Sequence, residues 1–260
     1  MRRLPGLRLT SWDWRLLARA AVATALAFLL TWLVTAATDE GGISWGERAG
    51  RTLPVAPACA ALGVWAALAP AIARGEVRAL ASLGRSAAQI GAPAVAGAGL
   101  VVLVAAVVLA FVHRVDVDGF FPTAAHAAGW RWGGRGFVDP VRGLAVGPEG
   151  VIERLPPDTA ARATVFEVSA PPHGRAAAAI ATALSGIGLP LLLAHALLTR
   201  PRRLPFGRRD WHALFLGAGP VAASVFLFQA AASRHVPALL GTAPAALLLG
   251  FGVQRYRSYP

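Results

Sequence analysis

The sequence predicts an all-α polytopic membrane protein: six transmembrane helices arranged three and three, with a small, partly β external module between spans three and four. Three observations carry this. Of 260 residues, 56% are hydrophobic and 15% are charged, where a soluble domain carries about 25% charged. Six apolar segments are each long enough to cross about 30 Å of hydrocarbon. Arginine is also sorted between alternate loops, as the positive-inside rule requires.

The first span is expected over Ala18 to Ala37, with Trp12 and Trp14 before it at interface depth. The basic start, Met1-Arg-Arg, resembles a secretory leader, but the long apolar stretch and the hydrophobic segment that soon follows predict a retained span. The second span is expected over Leu53 to Ile72, with Pro54, Pro57 and Pro70 near its ends. The third, Ile90 to Val112, holds no charge. The fourth runs from Ala176 to Leu198, the fifth from His212 to Ala232 and the sixth from Val236 to Val253. Small-residue faces such as Ala94 to Gly99 and Gly217 to Gly219 would permit close helix packing.

The loops set the orientation. All 25 basic residues are arginine. Before or in the first turn of span one, between spans two and three, between spans four and five and after span six lie 5, 3, 5 and 2 of them, against only Asp13, Glu76 and Asp210. The opposite side has 10 arginines and 10 acids, so the whole formal charge of +12 lies on one side. Both termini, the Arg74 loop and the Arg200–Asp210 loop are therefore expected in the cytoplasm of a bacterial inner membrane. Arginine beside anionic headgroups accounts for the charge without nucleic acid.

The external segment, residues 114–173, has turn signals such as Gly133-Gly, Asp139-Pro and Pro156-Pro. Short β-leaning runs lie between them at 136–138, 143–146 and 163–168. So short a segment buries little core of its own. The expected units are thus 1–113, 114–173 and 174–260.

Nothing in the chain carries bond chemistry, and no catalytic residue, metal site or cofactor is expected in it. There is no phosphate-cradling GxxxxGK[ST] and no HExxH. The one cysteine, Cys59, permits no disulfide, and Asp116, Asp118 and Asp139 lack calcium-loop spacing. His195 within span four is an intramembrane ionisable group, and Gln229 lies late in span five.

The more informative element is the break between spans two and three. Glu76 to Leu83 reads as a short helix, with Val77, Leu80, Ala81 and Leu83 as its apolar side. Glu76 stands between Arg74 and Arg78, Gly84 sits where the helix would end, and Ser86 is placed to cap the next one. An ordinary connector lying on the membrane would also use an apolar side.

The block from Arg74 to Val95 resembles the signature of the LptF/LptG (YjgP/YjgQ) permease family, carried by Glu76, Leu80, Gly84, Ser86, Ile90 and Pro93. Leu53-Pro54, the segment from Gly188 to Arg203 and the last span from Val236 are similar to other parts of that family. The resemblance implies the membrane subunit of a lipopolysaccharide export ABC transporter. Residues 74–86 would be its coupling helix, with Arg74, Glu76, Val77, Arg78, Leu80, Leu83 and Gly84 contacting a separate cytoplasmic ABC ATPase that uses the ATP. It further implies a paralogous or identical permease partner, a periplasmic lipid-transfer protein and a lipid substrate. The chain departs from the pattern twice. Residues 114–173 are too few for the family's periplasmic jellyroll, and span one ends in Asp39 and Glu40 rather than a basic residue. Arg48, Arg51, His113 and Arg114 are the remaining candidates to meet a lipid phosphate. A non-transporting scaffold of the same family and a secondary transporter are the alternatives, the latter disfavoured by nearly charge-free spans.

Overall fold

In a computed structural model, the described residues are 10–38, 44–117, 120–121, 131–132, 137–139, 144–147, 149–154, 171–199, 208–232 and 235–257. Side chains of 131–143, 208–218 and 257 are not among them. Helix α1, Ser11–Thr38, has no charge beyond Arg19, and its threonine hydroxyls are satisfied within the helix. Thr24 Oγ1 donates to the Ala20 carbonyl at 2.8 Å and Thr31 Oγ1 to that of Ala27 at 2.9 Å, which is how a hydroxyl avoids standing unpaired in hydrocarbon.

The second expected span begins earlier than the sequence suggested. Helix α2, Trp45–Thr52, opens on a capping box in which Ser44 Oγ accepts from Glu47 N and the Glu47 side chain accepts from Ser44 N. A 3-10 turn, Leu53–Val55, contains Pro54 and leads into α3, Ala56–Ala73. Arg48 and Arg51 are thus helical rather than in a loop. After α3 come α4, Glu76–Ser82, and α5, Ala87–Phe111. At 1.5 Å per residue α5 is about 37 Å long, enough to cross a bilayer.

In the external segment a four-stranded antiparallel meander forms: β1, Arg131–Trp132, β2, Phe137–Asp139, β3, Leu144–Val146, and β4, Ile152–Arg154. The expected runs at 136–138 and 143–146 correspond to β2 and β3, while 163–168 lies outside the described residues. The strands have two or three residues each, and none is fully buried where burial is described. The chain returns through α6, Gly174–Thr199, α7, Arg208–Ala232, a 3-10 turn at Ala238–Thr242, and α8, Ala243–Arg257.

Among the described residues, five helical stretches are long and apolar enough to cross a membrane: α1, α2–α3 together, α5, α6 and Ala238–Tyr256. The expected count of six is thus met for five spans, not six, among the described residues. Helix α7 forms where span five was expected, but its described apolar part, Gly219–Ala232, is shorter than a span. The chain is a multi-pass membrane protein.

Packing is through small residues. Helix α6 lies at the centre, against α3, α5 and α8, and α1 packs on α3 and α5. A Cβ added at Gly97 of α5 would lie 2.2 Å from the Leu17 carbonyl oxygen of α1, and one at Gly63 of α3 would lie 2.0 Å from Thr24 Oγ1. Helix backbones can approach this closely only where no side chain intervenes. The expected small face at Ala94 to Gly99 is therefore a packing face. At the other, Gly219 faces open space, and the side chain of 217 lies outside the described set. Leucine and valine point outward instead: Val22, Leu26, Leu30 and Leu33 on α1, Leu100, Val104 and Val107 on α5. That is the arrangement of a chain whose solvent is lipid.

Candidate functional site

Five helix ends and the whole of α4 gather at one end of the bundle: the starts of α1 and α5 and the ends of α3, α6 and α8. Tyr256 Oη of α8 donates to the Ala88 carbonyl at 2.6 Å, and Gly91 of α5 sits beside Tyr256 and Leu198. Three of the loops and ends expected on the arginine-rich side thus meet physically. The fourth, residues 200–207, lies outside the described residues, as do Asp39 and Glu40.

Helix α4 is bracketed by two left-handed glycines, Gly75 at φ 78° and Gly84 at φ 86°. At its end Gly84 N donates to the Ala81 carbonyl and Arg85 N to that of Leu80, the paired bonds of a Schellman motif, which needs a residue free of the Cβ penalty at Gly84. Ser86 then opens α5 with a second capping box, closed by Gln89. A helix of two turns is too short to be stable alone, so its caps and contacts hold it.

Its side chains divide into two sets. Val77 and Leu80 are half-buried, whereas Arg78, Ala81 and Leu83 are exposed, Leu83 at 79%. The single apolar ridge expected from the sequence is therefore split: half of it rests on the bundle and half projects away.

Two side-chain latches tie this segment to α1. At its start, Trp12 Nε1 donates to Glu76 Oε2 at 2.9 Å while Arg74 Nε donates to Glu76 Oε1. These donors, Arg74 foremost and Trp12 next, hold the Glu76 carboxyl below the usual glutamate range. At its end, Arg85 Nη2 donates to both Asp13 oxygens at 2.9 and 3.0 Å. Asp13 is only 1% exposed, and it also accepts from Thr10 N and Thr10 Oγ1 at 2.8 Å, so the buried charge is paired and hydrogen-bonded as burial demands. The Arg85 guanidinium also lies 5.8 Å from the centroid of the Trp12 ring, within cation–π range. Neither Trp12, Asp13 nor Arg85 was singled out from the sequence as a site residue. The only local signal was a lone acid and an aromatic pair in a basic leader, which reads equally well as an interface anchor.

The four candidates for a lipid phosphate lie at the opposite end. Arg48 and Arg51 are on α2, His113 and Arg114 in the turn after α5, and the two elements are in backbone contact. Asp116 N donates to the Gly46 carbonyl at 3.2 Å, and a Cβ at Gly46 would lie 1.9 Å from the Arg114 carbonyl oxygen. Arg51, His113 and Arg114 are exposed; Arg48 is half-buried, 5.9 Å from the Trp32 ring centroid. The structure brings the two elements that carry these residues together, but Arg48 turns toward α1 and Trp32. Arg175, which the sequence reading passed over, holds the same end together. Its guanidinium donates to the carbonyls of Leu109, Val112 and Val115 at 2.8 to 3.0 Å and to that of His113 at 3.4 Å. A cation there satisfies the orphan carbonyls and the negative end of α5 together.

His195 is half-buried in α6, and Gln229 is exposed on α7. No protein-family model matches the chain, and no curated protein matches it.

Proposed function

We propose that this chain is the permease subunit of an ABC-type exporter that moves lipopolysaccharide or a related envelope lipid from the inner toward the outer membrane. In this reading α4 is the docking surface for a separate cytoplasmic ATPase. The observation that carries it is the build of α4: a two-turn helix with Arg78, Ala81 and Leu83 projecting from the bundle and both ends latched to α1. A connector that merely lies on the membrane needs no such latches. A surface that receives a push needs them, because a loose loop would absorb the displacement.

The absence of a phosphate loop in the sequence makes the chain a receiver of ATP-driven work rather than its source. The motif residues Glu76, Leu80, Gly84, Ser86, Ile90 and Pro93 support the family reading through their resemblance to LptF/LptG. Docking of the ATPase dimer would shift α4, and through Trp12–Glu76 and Asp13–Arg85 it would shift α1, biasing a bundle with two packings. On the far side Arg48, Arg51, His113 and Arg114 would meet the lipid phosphates, a paralogous or identical permease would complete the cavity, and a periplasmic lipid-transfer protein would accept the lipid. Both termini would lie in the cytoplasm of a bacterial inner membrane.

The short meander at 131–154 favours one second reading, a scaffold of the same architecture that pairs with an ATPase without transporting. Co-purification from native membranes, followed by measurement of lipid-stimulated ATP hydrolysis, separates the two. An associated ATPase stimulated by lipid supports export; an associated but unresponsive one supports the scaffold. Leu83→Asp, which changes an exposed side chain outside both latches, is expected to abolish the association. Undiminished pairing in that variant would remove α4 as the docking surface.

A further inference from the structure

A recess of about 210 Å³ opens beside the latch, lined by Trp12, Arg15, Leu16, Arg19 and Glu76. Arg15 and Arg19 are both exposed, one helical turn apart on α1. At 3.6 residues per turn, Arg15, Arg19, Val22, Leu26 and Leu33 fall within about 60° of one another around the helix axis. Val22, Leu26 and Leu33 are each more than half exposed, and Leu29 and Leu30 flank the same stripe. One face of α1 is therefore cationic at its start and continuously apolar from there on. The distance from Arg19 to Leu29 is about 15 Å, half the hydrocarbon thickness and so the depth of one leaflet.

We infer that this face binds one anionic phospholipid of the leaflet on the α4 side, its phosphodiester held by Arg15 and Arg19 and its acyl chains laid along Val22, Leu26 and Leu29. The charges of the lining favour a monoanionic headgroup. Arg15 and Arg19 against Glu76 leave one positive charge, and the carboxylate is itself engaged by Arg74 and the Trp12 indole, so it does not turn the phosphate away. Trp12 belongs to both the recess and the latch, and its amphipathic ring suits headgroup depth. A bound lipid thus buttresses the Trp12–Glu76 contact, and lipid composition sets how firmly α4 is held to α1. This requires only that α1 stand in a bilayer; it does not depend on export, so the two readings fail separately.

The test uses the full chain, delipidated in non-ionic detergent and titrated with dioleoyl phosphatidylglycerol or dioleoyl phosphatidylcholine while bound lipid is counted by native mass spectrometry. Phosphatidylglycerol is expected to bind more tightly, and Arg15→Gln with Arg19→Gln to weaken it by about fivefold per arginine. Arg78→Gln, an exposed arginine of α4 outside the recess, should leave the preference unchanged. Equal binding of the two lipids overturns the proposal. So does a double variant that binds as the parent does, or an Arg78→Gln loss of the same size, which would indicate diffuse charge attraction. Competition by water-soluble glycerol phosphate at equal concentration would also overturn it, by making the ligand a free phosphate.

Discussion

The two ends of this bundle are joined by different means. At the α2 end the closest joints are backbone against backbone, and side chains add to them. Gly46 lies against the Arg114 carbonyl, Gly50 against that of Asp116, and Arg175 gathers four carbonyls at the end of α5. Phe228 adds edge-to-face ring contacts with Phe120 and Phe121, centroids 6.3 and 5.2 Å apart. At the α4 end the joints are made by side chains: Asp13 with Arg85, Trp12 with Glu76, Tyr256 with the Ala88 carbonyl. Backbone contacts leave no rotamer to change, so they open only if helices separate. Side-chain links can break and re-form while the helices stay intact. The difference marks the α2 end as the fixed point and the α4 end as the part that can move.

The largest expected effect falls on the fixed end. Gly46→Ala places a methyl group inside contact distance of a backbone oxygen that cannot turn away, and should cost about 3 kcal/mol or more. Thermal unfolding in detergent measures it, and a melting temperature unchanged from the parent would break the contrast between the ends. Next comes Asp13→Asn, which removes the charge from a buried pair and leaves Arg85 without its counter-ion. Because Arg85 is 27% exposed on its side-chain surface, water recovers part of that loss, and about 2 kcal/mol is expected. Hydrogen exchange should show faster opening at residues 76–86 while the α2 end keeps its protection. Equal loosening of both ends would mean that the bundle responds as one body.

The smallest effect is one of pH. The Glu76 carboxyl is held below its usual range in the folded chain by Arg74 and Trp12. The contribution of that latch is therefore complete above the ordinary glutamate pKa and is lost as pH falls through the lowered value. Exchange at α4 should accelerate only in that acidic window, and Glu76→Gln should show the faster rate throughout. Acceleration with rising pH, beyond the intrinsic chemistry of exchange, would contradict this sign.

Much of this was readable from the residues in order. The span segments, the glycine stop at Gly84, the Ser86 cap and the short strands at β2 and β3 follow from local preferences. So did the site of α4 itself, between two apolar runs. The start of the second span was misplaced, because Arg48 and Arg51 read as loop until the Ser44–Glu47 capping box was seen to extend the helix to Trp45. The expected span over 212–232 falls within α7, of which only Gly219–Ala232 is described with its side chains.

The sequence by itself determined which segments are apolar enough to enter lipid and which loops carry the excess of arginine. Transfer free energy and loop charge sum residue by residue along the chain, so neither needs knowledge of a partner. Only the tertiary structure decided who pairs with whom. Asp13 meets Arg85 across 72 positions and Trp12 meets Glu76 across 64, while Arg175 finds its acceptors in backbone that any sequence would supply. A side chain declares that it needs a counter-ion or an acceptor; which one it finds depends on how α1, α4 and α5 pack.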